Sequence, residues 1–356
     1  MTIKYLIETT LRLINNRVSW IITIIFLGVW LGVDITLANW GENQLPIQRI
    51  VYSYKSPSDI LFMGNSRVTT GIKASMITQL STKSTGYPIR SYNLGIPSTP
   101  FGIHYLLLKH EIQQRKQPKL LIYGFVDNEL TATGFFDDAN VAQLSKGEDL
   151  PLIFKKSFVT IDSRSDLLLK KISRVYRYRF LIREVLNRYL THAQVKPVQL
   201  NNNVDGFQDL DNVVRREAIN KLINLEKSPY YKELYDTPTN WSFEPSKTYL
   251  EDFVKLALQS KIKLIFVELP TTQLHNQIAQ KSVYRKAYLK ELKLYFKNYG
   301  ISVYSLRDVE PDDHIPDTVH LSNTGATSFT QILFDKVIRA HLFEVRAAGK
   351  VTEHRF

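Results

Sequence analysis

Five short apolar runs, each bounded at one end by a glycine or a proline and separated by helix-patterned stretches, constrain this chain more than any other feature. The runs are Asp59–Gly64 (DILFMG), Ile89–Gly95 (IRSYNLG), Lys119–Gly124 (KLLIYG), Ile262–Leu269 (IKLIFVEL, stopped by Pro270) and Gly300–Leu306 (GISVYSL). Continuous apolar runs of this length fit strands buried on both faces. The first is followed by NSRVTTGIKASMITQL, where Ile72, Met76 and Leu80 share one side of a helix; residues 101–114, 246–260, 279–298 and 323–345 also read as helical. Strands alternating with helices imply βαβ units and a parallel sheet. Right-handed crossovers put helices on both faces, and ligands of such sheets bind at the carboxyl ends of the strands.

Two stretches stand outside that pattern. Residues 18–38 (VSWIITIIFLGVWLGVDITLA) are apolar on every side, with Asp34 the only ionisable side chain. Spanning a bilayer takes about 20 such residues. Lys4, Arg12 and Arg17 precede the run and Asp34 and Glu42 close it, so the charge bias puts the N-terminus in the cytoplasm and the rest outside. The run is long for a cleavable signal peptide, although Thr36-Leu37-Ala38 fits a cleavage site loosely; we read it as an uncleaved signal anchor. The second stretch lies between the third and fourth runs. Its length, roughly 120 residues, far exceeds an ordinary crossover, and we expect an inserted helical subdomain. Within it, residues 154–190 hold ten Lys or Arg against three acids, interleaved with Tyr176, Tyr178, Phe180, Leu181, Leu186 and Tyr189. Such a helix can lie on an anionic membrane or pack its apolar stripe on the main domain. The expected organisation is a cytoplasmic N-terminus (1–17), anchor (18–38), linker (39–57), α/β domain (58–129 with 246–345), helical insertion (130–245) and tail (346–356).

Composition removes several chemistries. The chain has no cysteine, so disulfides, thiolate nucleophiles and cysteine-bound zinc are excluded. The net charge is +12, suited to nucleic acid, anionic lipid or an anionic polymer. No zinc-finger spacing or RNA-binding signature accompanies it, so no nucleic-acid partner is expected. GxGxxG after a strand, GxxxxGK[ST] and HExxH are all absent, and no cofactor and no metal are expected.

The polar residues cluster where the sheet rule puts a site. Gly64-Asn65-Ser66-Arg67 follows the first run directly, so Ser66 stands where the next helix begins, either as a nucleophile or as an ordinary helix cap. Asp317-Thr318-Val319-His320 follows the fifth run. Asp and His three apart can set a carboxylate beside an imidazole as a general base and its orienter, or can be a surface turn. Gly95 ends the second run, and its backbone N–H can approach an oxyanion closely. After the third run comes Gly124-Phe125-Val126-Asp127-Asn128. Either Asp127 or Asn128 faces the site, and the Asn128 amide is a candidate oxyanion donor.

In this order the residues resemble the SGNH, or GDSL-like, hydrolase superfamily over 59–128 and 262–340. Gly64-Asn65-Ser66 stands for its first block, though it reads GNSR in place of GDSL. Gly95 stands for the second block. The third is displaced, with asparagine at Asn128. Asp317 and His320 match the last, followed by Leu321, Ser322 and Gly325. The resemblance implies a three-layer α/β/α fold on a five-stranded parallel, flavodoxin-like sheet. It also implies a catalytic Ser66–His320–Asp317 triad with Ser66, Gly95 and Asn128 as the oxyanion hole. With a single anchor the chain is similar to the accessory proteins of alginate acetylation and teichoic-acid D-alanylation. That implies acyl transfer to or from an envelope polysaccharide, beside a membrane-bound acyltransferase. A lipid esterase or thioesterase using the same triad, and a scaffold that keeps the fold without the chemistry, are the alternatives.

Overall fold

A computed structural model describes residues 17–42, 57–97, 99–114, 116–131, 138–190, 205–207 and 229–345. The expected cytoplasmic stretch 1–16, most of the linker and the tail 346–356 lie outside the described residues. The chain divides into two compact units, one of residues 1–45 with 160–196 and the other of 46–159 with 197–356.

The larger unit is built on five strands: β1 (Ile60–Gly64), β2 (Ser91–Gly95), β3 (Leu120–Phe125), β4 (Lys263–Glu268) and β5 (Ser302–Ser305). They lie in the order β2-β1-β3-β4-β5 and every pairing is parallel. Each expected run supplies one strand. The register sets Gly64 beside Gly95, Met63 beside Tyr123, Phe125 beside Glu268, and Glu268 beside Ser305, so the strand ends form one rim.

Side-chain alternation explains why the runs are apolar throughout. Phe62, Ile122, Ile265 and Val267 face a core shared with Val68, Ile77, Phe329, Leu333 and Val337. The intervening Tyr123 and Phe266 face the other way, into an aromatic layer with Phe101, Phe253 and Phe296; the Phe266 and Phe296 rings stack at 4.2 Å. Helices therefore cover both faces of the sheet. The beginning of the long interval, up to residue 159, also belongs to this unit: Lys109 pairs with Asp149 at 2.5 Å and Lys156 with Asp252 at 2.5 Å. At residues 205–207 the interval runs along the β2 edge, where Asn93 N donates to the Asp205 carbonyl at 2.9 Å and Phe207 enters the core.

Among the described residues the smaller unit contains three helices, Arg17–Glu42, Ile161–Ile172 and Arg174–Leu190. The apolar run thus lies inside one continuous helix, with its side chains from Trp20 to Ile35 exposed apart from Asp34. Among the described residues no helix is long and apolar enough to cross a membrane.

Candidate active site

The site starts from a glycine that no other residue could replace. Gly64 ends β1 at φ +150°, and a Cβ there would sit 2.5 Å from the Gly124 carbonyl and from Val68 Cγ2. The chain can therefore turn sharply off the strand tip into the short helix Ser66–Gly71. Asn65 starts that helix: its side-chain oxygen accepts from Arg67 N at 3.0 Å, and its carbonyl accepts from Val68 N and Thr69 N. Gly95 allows the same close approach on the other side, because a Cβ would lie 2.6 Å from Thr69 N. Asn93, fully buried in β2, donates its amide to the carbonyls of Val68 (2.8 Å) and Ile72 (2.7 Å). Ser66 is thereby held at the rim by contacts from two strands.

The second half comes from the loop after β5. Asp317 Oδ1 accepts from Val319 N (3.0 Å) and His320 N (2.6 Å), which closes a tight turn through Thr318 at φ 68°. Its Oδ2 lies 2.7 Å from His320 Nδ1, and His320 Nε2 lies 2.7 Å from Ser66 Oγ. A carboxylate on Nδ1 makes that nitrogen the donor, so in the neutral ring Nε2 is the acceptor facing the serine hydroxyl. Burial pushes the Asp317 carboxyl up, but the His320 ring, the His320 N–H and the Val319 N–H outweigh it and hold the group below the usual carboxylate range. It stays ionised as an orienter should. The side chains of His320 and Asp317 keep about a fifth of their surface open (23% and 22%), so a substrate can reach them.

The structure brings Ser66, His320 and Asp317 into one hydrogen-bonded line. Gly95 and Asn128 are engaged elsewhere: the Gly95 N–H donates to Asn93 Oδ1 at 2.9 Å, and the Asn128 amide donates to the Asn240 carbonyl at 2.5 Å. The Gly95 N–H must leave that partner to meet an oxyanion, whereas the Asn128 NH2 has a second N–H beyond the one given to Asn240. Asp127 belongs to a buried ionic cluster across the tips of β3, β4 and β5. Its carboxylate accepts from Arg307 (2.7 Å), Tyr235 OH (2.8 Å) and Arg285 (3.3 Å), with His275 at 3.2 Å. Glu268 joins it through Arg285, Arg307 and Ser305. Burial alone would raise the Asp127 carboxyl, but Arg307, His275 and Arg285 hold it well below its usual range.

Sequence reasoning missed Glu129. It is tucked behind Asn65, accepting from the Asn65 amide at 2.6 Å and from Val126 N at 2.8 Å. Burial pushes its carboxyl up while Arg67, the Val126 N–H and Asn65 pull it down. Its only sequence signal was an acid just past a strand tip. Among the described residues no group of acids and histidines could hold a metal ion.

A candidate acylhydrolase from Bacteroides fragilis NCTC 9343, known from its crystal structure, aligns over 85% of this chain and 98% of its own, at 13% identity and a TM-score of 0.35. A likeness that loose carries no argument here. No curated protein matches the chain. A family of proteins of unknown function, DUF1574, matches residues 49–337, which takes in all five strands and every residue of the triad; the chain belongs to the DUF1574 family.

Proposed function

We propose that this chain is a membrane-anchored serine acyl-transfer enzyme of the SGNH hydrolase type, acting on O-acyl groups of an envelope polysaccharide. The carrying observation is the Ser66–His320–Asp317 line, with both hydrogen bonds at 2.7 Å. A hydroxyl nucleophile needs a base within such reach. In the proposed reaction Ser66 Oγ attacks the acyl carbonyl and its proton passes to His320 Nε2. The C–O bond to the donor alcohol breaks, and the departing oxygen takes that proton. A glycan hydroxyl, or water, then gives its proton to His320 and attacks acyl-Ser66, restoring the serine. We assign the oxyanion to the N–H groups of Ser66 and Gly95; Gly95 exchanges its Asn93 partner to reach it. Asn128 gives one amide N–H to the Asn240 carbonyl and keeps a second for the same role.

The proposal also seats residues 18–38 in the bilayer, with the α/β domain outside and a membrane-bound acyltransferase as donor partner. Its support is the run itself, one ionisable residue among apolar ones, and the exposure of its side chains all round the helix. The scaffold alternative expected Ser66 and His320 to lie beyond hydrogen-bond reach, and the 2.7 Å contact weighs against it.

The test is covalent capture. The full chain in detergent is incubated with p-nitrophenyl acetate and the acetyl group is located by peptide mass. Acetyl-Ser66 should accumulate and be discharged when an envelope glycan is added. A folded chain that never acetylates Ser66 sinks the proposal.

A further inference from the structure

The one acid in the apolar run 18–38 is also, among its described side chains, the one that is buried, and it is spent on another helix. Asp34 is only 9% exposed, between neighbours that lie open. Its carboxylate accepts from Ser173 Oγ (3.1 Å), Arg174 N (3.2 Å) and Val175 N (2.8 Å). The two N–H groups are among those that open the helix Arg174–Leu190 and have no acceptor within it, and an anion there is favoured by the helix dipole as well as by the hydrogen bonds. Asp34 lies 17 residues past Arg17, or roughly 25 Å along the helix at 1.5 Å per residue. With a hydrocarbon core of about 30 Å, this lies near the boundary opposite the basic flank.

The helices so attached are built the wrong way round for water. On Ile161–Ile172 the exposed side includes Ile161, Leu168, Leu169 and Ile172, spaced to form one apolar stripe, with Ile172 80% exposed. The same helix buries Lys170, satisfied by Asp166. Phe180 on the next helix is 65% exposed. Residues 161–190 also carry eight Lys or Arg against three acids. Exposed apolar groups interleaved with excess positive charge are the composition of an element lying in the interface of an anionic bilayer.

We infer that the helix pair 161–172 and 174–190 lies in the headgroup layer of an anionic membrane. Its Ile161–Leu168–Leu169–Ile172 stripe and Phe180 reach the acyl boundary, and Asp34 fixes the pair to the inserted helix. This rests on the reading of residues 18–38 as an anchor. The chain holds no cysteine, so single cysteines give clean labels. Ile172→Cys, Phe180→Cys, Ile24→Cys and Leu294→Cys are each coupled to an environment-sensitive dye. The full chain is then reconstituted in vesicles of phosphatidylcholine with phosphatidylglycerol.

Labels at 172 and 180 should be several-fold less quenched by iodide than the label at 294, and should be quenched by brominated lipid. Adding Asp34→Ala should restore iodide access at 172 and leave 24 protected. If 24 is protected while 172 and 180 behave like 294, the anchor stands and this inference fails. If 24 is also open, both fail. Shielding at 172 and 180 without quenching by brominated lipid would mean a protein occupant and would overturn the membrane assignment.

Discussion

Glu129 holds the amide of Asn65 at 2.6 Å, across sixty-four residues of chain, and so braces the turn that presents Ser66. The acid touches neither Ser66 nor His320 in any hydrogen bond described above, and it acts through Asn65. Glu129→Ala strips partners from the Asn65 amide and the Val126 N–H, at a cost of about 1–3 kcal/mol for such buried donors. Its melting temperature should fall, and the rate of Ser66 acylation should fall further than the loss of folded protein explains. Glu129→Gln keeps one acceptor oxygen and should recover part of that rate. Equal rates per folded molecule in all three proteins would deny Glu129 a positioning role.

Asp317→Asn separates orientation from folding. The side-chain oxygen can still accept from Val319 N and His320 N, so the turn survives. An amide NH₂ facing His320 Nδ1 makes that nitrogen an acceptor and puts the ring proton on Nε2, the wrong tautomer for a base. Acylation should drop by roughly a thousandfold or more, as expected for such a change in a triad. The melting curve should stay near that of the wild type. Acylation within a few-fold of wild type would show that His320 does not depend on Asp317.

The cluster around Asp127 and Arg307 is predicted to be structural. Arg307→Met leaves Arg285 as the one arginine between the buried carboxylates of Asp127 and Glu268. Breaking one side of a buried charge arrangement costs about 3–5 kcal/mol. Denaturant unfolding should register that loss, while acylation by the protein still folded is retained. A neutral effect on stability would mean that water reaches the cluster.

Glu111 predicts a pH dependence. It is fully buried, neither carboxylate oxygen has a hydrogen-bond partner among the described residues, and burial pushes it from 4.5 up to about 7, with Lys116 pulling the other way. Between these values the folded chain holds a proton that the unfolded chain has lost, so stability falls as pH rises through the window. At ~1.4 kcal/mol per pKa unit the loss by about pH 8 is on the order of 3 kcal/mol. Glu111→Gln should flatten that part of the profile. An unchanged slope in the variant would place the titration elsewhere.

The strands were legible because both faces of the sheet are buried. Apolar runs with glycine or proline stops are what such burial demands, and Gly64 and Gly95 marked two of the strand tips beside the serine helix. Ser66 was legible because it lies two residues past the end of β1, and Asp317 and His320 because they stand three apart in the loop after the last strand. The donors were not. Whether the Gly95 N–H is free depends on where the buried Asn93 side chain turns, and Asn128 is drawn to a carbonyl 112 residues away. Glu129 and Arg307 escaped notice for the same reason: Glu129 meets Asn65 only through the β1–β3 pairing, and Arg307 meets its partners only through the β3–β4–β5 order. Asp34 looked like a blemish in an apolar run until the start of a distant helix was found against it.

The central claim is an activated Ser66, and fluorophosphonate labelling tests it most directly. The full chain in detergent is treated with the probe beside Ser66→Ala and His320→Ala, with folding checked by circular dichroism. The account predicts labelling of the wild type and none in either variant. A folded wild type that stays unlabelled, or labelling that persists in Ser66→Ala, would contradict it.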